Sequence, residues 1–317
     1  IIALNLLSSK FHYELASLYR LSELNLPIKY IELGNEFYLS NDQYFEVFPG
    51  VDDYITMAID WADNIKLIPA FSGSKIAIVG ALASTGNAGR QRLWLDQILS
   101  RIKGVNSIDA ITLHNYLRNN TTGNNCVGTF SNADIESFLI TAFDNAYELQ
   151  HDELFKIRLF NQNSASPKEV WITEYNIDDD LDVRTGTWSH GILNAITALK
   201  YLESIDITKA ISHTMLSGAK YGNIFENDDA FRFIKCHGLP TVANPNQAGN
   251  ITTAPIEKSA LGTALDAVAY VSRGSVSATQ ILFNGANKLA TSNYDELYGW
   301  KFEDGNGNIN SIFINAG

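Results

Sequence analysis

The chain has 317 residues, enough to bury a large core in one domain or two. With 45% hydrophobic and 18% charged residues it is globular rather than disordered. Its 35 acidic and 23 basic side chains leave a formal net charge of −12, which speaks against nucleic acid or an anionic membrane surface as partner, and no apolar run is long enough to span a bilayer.

Strand-like runs alternate with segments of helical period, the pattern of βα units around a parallel sheet. Ile1-Ile-Ala-Leu-Asn-Leu-Leu7 lacks the basic flank and cleavage site of a signal peptide, and Ile2–Leu7 reads as a strand. His12–Asn25 carries Leu15, Leu18, Leu21 and Leu24 on one stripe and is stopped by Pro27. Ile28–Leu33 is the second strand. The next helix starts near Asp52-Asp53 and repeats Tyr54, Ala58, Trp61, Ile65 and Ile68 on one face. Lys75–Gly80 is a strand, and its helix shows Leu95, Ile98, Leu99 and Ile102. Asp109–His114 is a strand, followed by a polar loop, Arg118–Thr129, and a helix with Ile135, Phe138, Leu139, Ala142 and Ala146. Glu169–Thr173, a helix over Thr187–Glu203 and a strand over Ala210–Leu216 follow. After a long loop, Ser217–Ala254, the last helix spans about Ile256–Val271. The tail, Thr279–Ile314, turns to short strands, with a hairpin signal at Asp304-Gly-Asn-Gly307.

Two of these strands end in a carboxylate. The apolar run Tyr30-Ile-Glu-Leu-Gly-Asn-Glu36 breaks at Gly34-Asn35-Glu36, and Val170-Trp-Ile-Thr-Glu174-Tyr-Asn176 mirrors it far downstream. Between them, Asp109–His114 ends in His114-Asn115-Tyr116. Paired carboxylates on the strand tips of one barrel face are what retaining glycoside hydrolysis needs, with the two groups about 5–5.5 Å apart. Plainer readings stand beside this one. Glu36 is also placed to favour a helix N-terminus, Glu174 to be a loop acid, His114 to be a structural histidine and Tyr116 to be loop packing.

In order along the chain, Asn35-Glu36, then His114-Asn-Tyr116, then Trp171-Ile-Thr-Glu174 resemble clan A of the retaining glycoside hydrolases, which includes α-L-arabinofuranosidases, β-xylosidases, heparanase-like β-glucuronidases and agarases. The resemblance covers roughly Ile2 to Val271. It implies an α/β fold, the (β/α)8 TIM barrel. Six strand–helix units are legible, so the first two βα units of the barrel are expected to be lacking in this chain, with the remainder of a longer parent chain supplying them. Residues 1–275 then form the partial catalytic barrel, and residues 276–317 begin a C-terminal accessory β-sandwich. By the same resemblance Glu36 is the general acid/base, Glu174 the nucleophile, Asn35 a donor to the sugar 2-hydroxyl, and Tyr116 the group that orients Glu174. His114 contacts substrate or positions the acid. The expected reaction is double displacement on a polysaccharide or oligosaccharide outside the cytoplasm, with no metal or organic cofactor.

Two features depart from the clan pattern. The arginine usual at an early strand tip falls in the missing units, and the stretch His213-Thr-Met-Leu-Ser-Gly218 lacks the usual sugar-stacking tryptophan. Trp188, Tyr221, Phe225 and Phe231 are the candidates to stack on sugar instead, each also readable as plain packing, and Trp188 and His190, which begin the next helix, are candidates to line the cleft. The acidic run Asp178-Asp-Asp180-Leu-Asp182 fails as a calcium loop, with Val183 and Ser189 where Gly and Glu belong. Cys126 and Cys236 have no CxxC spacing. They allow one disulfide, or two plain thiols. A carbohydrate-binding or adhesive module on a degenerate barrel is the rival function. An aldolase is disfavoured because no strand-tip lysine offers a Schiff base.

Overall fold

The computed structural model describes residues 1–82, 89–118, 140, 152–178, 188–213, 225–226, 257–289 and 292–316. Cys126, Cys236, Tyr221, Phe231, the loop after Arg118, the helix that follows it and most of the acidic run lie outside the described residues. The barrel elements in order are β1 (Ile2–Leu4), α1 (Phe11–Glu23), β2 (Tyr30–Leu33), α2 (Asp42–Val47), α3 (Val51–Lys66), β3 (Lys75–Val79), α4 (Arg90–Arg101), β4 (Ala110–Arg118), helical residues 152–162 (α5), β5 (Glu169–Asp178), α6 (Trp188–Glu203) and β6 (Ile207–Ser212). Strands β1 to β6 lie side by side in chain order in one parallel sheet, the order that successive βα units produce, so the described residues hold a partial (β/α)8 barrel. After a two-stranded ribbon, β7 (Phe225–Glu226) with β8 (Glu257–Lys258), come α7 (Ala260–Ser272) and an antiparallel sheet of β9 (Ser275–Ile281), β10 (Leu297–Asp304) and β11 (Ile309–Asn315).

The chain divides into two compact units. The first comprises Ile1–His114, Glu148–Thr173 and Asp206–Lys209. Its core is the apolar run of each strand, Ile31 and Leu33 on β2 and Ile76, Ile78 and Val79 on β3, covered by Tyr54, Ile55, Ala58, Trp61 and Ile65 of α3. The face expected for α3 is therefore the buried one, except that the helix stops at Lys66, before Ile68. Its first turn carries Asp52 and Asp53, and the Asp53 carboxylate accepts from the Gly50 N–H at 2.8 Å. On α1 only Leu18 is fully buried. Leu24 falls at the C-cap and is exposed, so the predicted four-leucine stripe is shorter than expected.

The N-terminal ends of these strands carry a charged cluster. Glu169 accepts from Trp171 Nε1 at 2.8 Å and Thr208 Oγ1 at 3.0 Å and pairs with Lys75 and Lys209. Lys209 also lies 4.1 Å over the Tyr30 ring. Burial pushes the Glu169 carboxyl up, but the bonds from Lys75, Trp171 and Thr208 and the charge of Lys209 outweigh it and hold it at about 2. Its folded value is below its unfolded one. The stability it contributes is thus fully present above about pH 5 and is lost as pH falls toward 2. In denaturant titrations across that range, Glu169→Gln is expected to lose about 1–2 kcal/mol less than wild type, because the carboxylate keeps some contact with water.

The second unit comprises Asn115–Tyr147, Glu174–Ile205 and Ala210–Gly317. Its core joins Leu193, Ile196 and Leu199 of α6, Val268 of α7, and Tyr298, Trp300 and Phe302 on the inner face of β10. Helices α6 and α7 approach closely at Gly191, where a Cβ would lie 2.6 Å from the Ala260 carbonyl oxygen, so only glycine fits. Ser259 caps α7 by accepting from the Gly262 N–H at 3.0 Å. The predicted hairpin is present between β10 and β11. Asp304 Oδ1 accepts from the N–H groups of Asn306 and Asn308, and Gly307 takes a positive φ of 83°.

Candidate active site

In the first unit, β2 ends at Leu33 and the chain turns through Gly34, whose φ is +108°. A Cβ there would lie 2.2 Å from Phe37 Cε2. Gly34 thus allows Phe37 to fold under the turn while Glu36 stays half-buried above it. Gly34→Ala is expected to destabilise the protein by about 2–4 kcal/mol, through backbone strain and overpacking together, as read by chemical denaturation.

Three groups secure this turn. Tyr54 Oη donates to the Leu33 carbonyl at 2.8 Å and accepts from the Val79 N–H at 2.8 Å, bridging the ends of β2 and β3. Arg90 Nε donates to the Phe37 carbonyl at 2.9 Å and its Nη1 to the Phe48 carbonyl at 2.7 Å, and its guanidinium lies 4.8 Å over the Trp94 ring. Tyr38 Oη donates to Glu36 Oε1 at 3.1 Å.

The same oxygen, Glu36 Oε1, lies 2.9 Å from Nδ1 of His114, which is buried on β4. Glu32 stands on the other side of the imidazole. It is also buried, its Oε1 is 3.8 Å from His114 Nε2, and the same oxygen accepts from Thr173 Oγ1 at 3.0 Å. Asn35, beside Glu36, is exposed.

In the second unit, Glu174 is half-buried and Tyr116 Oη donates to its Oε2 in a short hydrogen bond. The Tyr116 ring meets the His213 ring edge-on, with centroids 5.9 Å apart. Strand β5 does not stop before Glu174, as its sequence suggested, but continues to Asp178. The continuation is hydrogen-bonded: the His213 N–H donates to the Tyr175 carbonyl at 3.1 Å, and Asn176 Nδ2 donates to the His213 carbonyl. Strand β4 likewise continues past His114 to Arg118, carrying Asn115, whose Nδ2 donates to Tyr201 Oη at 2.8 Å.

The structure thus joins Glu36 with His114, and Glu174 with Tyr116. Trp188 begins α6 with its side chain exposed. His190 corrects an expectation, because it is wholly buried and its Nε2 lies 2.7 Å from Asn176 Oδ1, so it braces β5 instead of lining a cleft. Sequence reasoning missed Tyr38, Glu32 and Thr173. For Glu32 a signal exists, since a carboxylate inside an otherwise apolar buried strand needs a partner.

No family model and no curated protein matches the sequence. Solved structures do. An α-L-arabinofuranosidase from Thermotoga maritima, in complex with arabinose, superposes with a TM-score of 0.61 over 99% of this chain at 12% identity. A GH51 arabinofuranosidase from Xanthomonas axonopodis pv. citri gives 0.61 at 12% identity, and another arabinofuranosidase gives 0.58 at 13%, each over 99% of this chain. The chain spans 60% of the length of each of these structures. Its fold, a partial (β/α)8 barrel carrying an antiparallel sheet, is the fold of the arabinofuranosidases and of clan A glycoside hydrolases.

Proposed function

We propose that this protein is a retaining glycoside hydrolase with Glu36 as general acid/base and Glu174 as nucleophile. The observation that carries the reading is that each of the two carboxyl groups has its own holding partner: within the first unit His114 contacts Glu36, and within the second Tyr116 donates to Glu174. Such contacts hold each carboxyl group in one orientation, and a catalytic carboxylate must be held at a fixed angle to the anomeric carbon. Glu36 protonates the leaving oxygen while Glu174 attacks the anomeric carbon. Water then opens the glycosyl-enzyme, with Glu36 as base. The Tyr116 hydroxyl fixes which lone pair of Glu174 faces the sugar. Exposed Asn35 is the donor to the 2-hydroxyl, and exposed Trp188 offers a ring for a sugar face.

The substrate class that the fold neighbours suggest is an α-L-arabinofuranoside. Among the described residues no helix is long and apolar enough to cross a membrane. The test is covalent trapping. A fluorinated aryl arabinofuranoside, which forms the glycosyl-enzyme quickly and releases it slowly, is expected to inactivate the enzyme and label the peptide containing Glu174. Proton NMR of the first-formed product should show retained anomeric configuration. Inverted product, or a label on another residue, would sink the assignment. Sugar binding with no turnover on any aryl glycoside would favour the binding-module reading.

A further inference from the structure

Glu32 is left without a role by the two-carboxylate mechanism. It is a carboxylate in the middle of a strand otherwise built from Tyr30, Ile31 and Leu33, and it is 5% exposed. A carboxyl group in such a place persists only with polar partners. The Thr173 hydroxyl donates to it at 3.0 Å, and His114 Nε2 stands 3.8 Å away, within ion-pair reach but beyond a hydrogen bond. The opposite ring nitrogen, Nδ1, lies 2.9 Å from Glu36 Oε1. The imidazole is therefore flanked by a carboxylate at each nitrogen, an arrangement that favours hydrogen on both.

The state of the ring decides where Glu36 carries its proton. Two groups converge on Oε1, the Tyr38 hydroxyl at 3.1 Å and His114 Nδ1 at 2.9 Å. If both donate, Oε1 is committed as an acceptor, and the proton given to the leaving group must reside on Oε2. A neutral His114 with hydrogen on Nε2 alone would instead present a lone pair to Glu36 and draw the acid's proton onto Oε1, away from the substrate.

We propose that Glu32 is a positioning residue for the acid/base: anchored by Thr173, it keeps hydrogen on both nitrogens of His114, so that His114 and Tyr38 occupy Glu36 Oε1 and leave Oε2 to carry the transferred proton. The proposal rests on the reading that Glu36 is the acid/base. It adds a carboxylate–imidazole–carboxylate line in which the first member never touches substrate.

The test has two arms. Nitrogen NMR of the labelled wild-type protein at neutral pH, with His114 assigned by comparison with His114→Asn, is expected to show both ring nitrogens protonated. In Glu32→Gln the ring is expected to revert to a neutral single tautomer. A bare Nε2 in the wild type overturns the proposal whether or not Glu32→Gln folds. In the kinetic arm, Glu32→Gln is expected to lower kcat about 10–10²-fold on aryl glycosides with poor leaving groups, with KM little changed and dinitrophenyl glycosides nearly unaffected. Equal losses on both substrates would mean general structural damage and would overturn the proposed role. Thr173→Val is expected to move the same ratio in the same direction by a smaller factor, and an unmoved ratio counts against the anchor. A different failure marks the underlying reading: if Glu36→Ala hydrolyses every aryl glycoside at the wild-type rate, Glu36 is not the acid, and Glu32 loses its role even where the His114 ring is doubly protonated.

Discussion

Replacing Glu174 with Gln is expected to lower kcat on an aryl arabinofuranoside by on the order of 10⁴-fold or more. The amide is nearly isosteric with the carboxylate, and its oxygen can still accept from the Tyr116 hydroxyl, so the side chain should stay where it is. What it loses is the negative charge and the lone pair that form the bond to the anomeric carbon. Folding stability should change by less than about 1 kcal/mol, because Glu174 is only half-buried and the bond from Tyr116 is retained. Circular dichroism and a thermal melt establish that the fold persists, and pre-steady-state kinetics should then show no burst of aglycone. A variant keeping a tenth of the wild-type rate would remove Glu174 from the nucleophile role.

The second large effect concerns Glu36, and its signature is a dependence on the leaving group. In Glu36→Ala, kcat/KM for substrates with poor leaving groups should fall by about 10²–10⁴-fold, because their departure needs a proton. Dinitrophenyl glycosides leave without one, so the glycosyl-enzyme still forms. Its hydrolysis then lacks a base, and the intermediate accumulates. Added azide needs no base, and should restore turnover and yield a glycosyl azide of retained configuration. Removing the carboxylate also deprives Tyr38 and His114 of an acceptor at Oε1, with a stability loss of about 1–2 kcal/mol, whereas Glu36→Gln should be close to neutral in stability and equally inactive on poor leaving groups. Loss of activity that is uniform across leaving groups and unrescued by azide would point to damage rather than to missing acid catalysis.

Glu36 and Glu174 are both legible in the amino-acid sequence, because period and punctuation are local properties of a chain. Alternation of apolar strands with helical stripes suffices for a parallel βα sheet. The break at Gly34-Asn35-Glu36 marks the end of β2 because a bulky apolar run meets a residue free to take a φ of +108°. The hairpin at Asp304–Gly307 is legible for the same reason, since the Asp304 carboxylate closes the turn within four residues.

What depends on residues distant in sequence is not legible. Strands β4 and β5 run several residues past their apolar cores. The backbone there bonds to groups such as His213, and local pattern says nothing of a remote partner. Leu24 continues a helical stripe yet is exposed, because α1 has already ended. His190, at the start of a helix near a candidate site, is turned inward to Asn176 rather than outward to a ligand. The pairing of Glu36 with His114 spans 78 positions, and that of Glu32 with Thr173 spans 141. The sequence by itself determined where the apolar run of each strand stops and which carboxylates follow it, through propensity and hydrophobic period. Only the tertiary structure decided which side chains hold them, because a hydrogen bond is fixed by distance and angle between atoms that the fold, not the chain order, brings within about 3 Å.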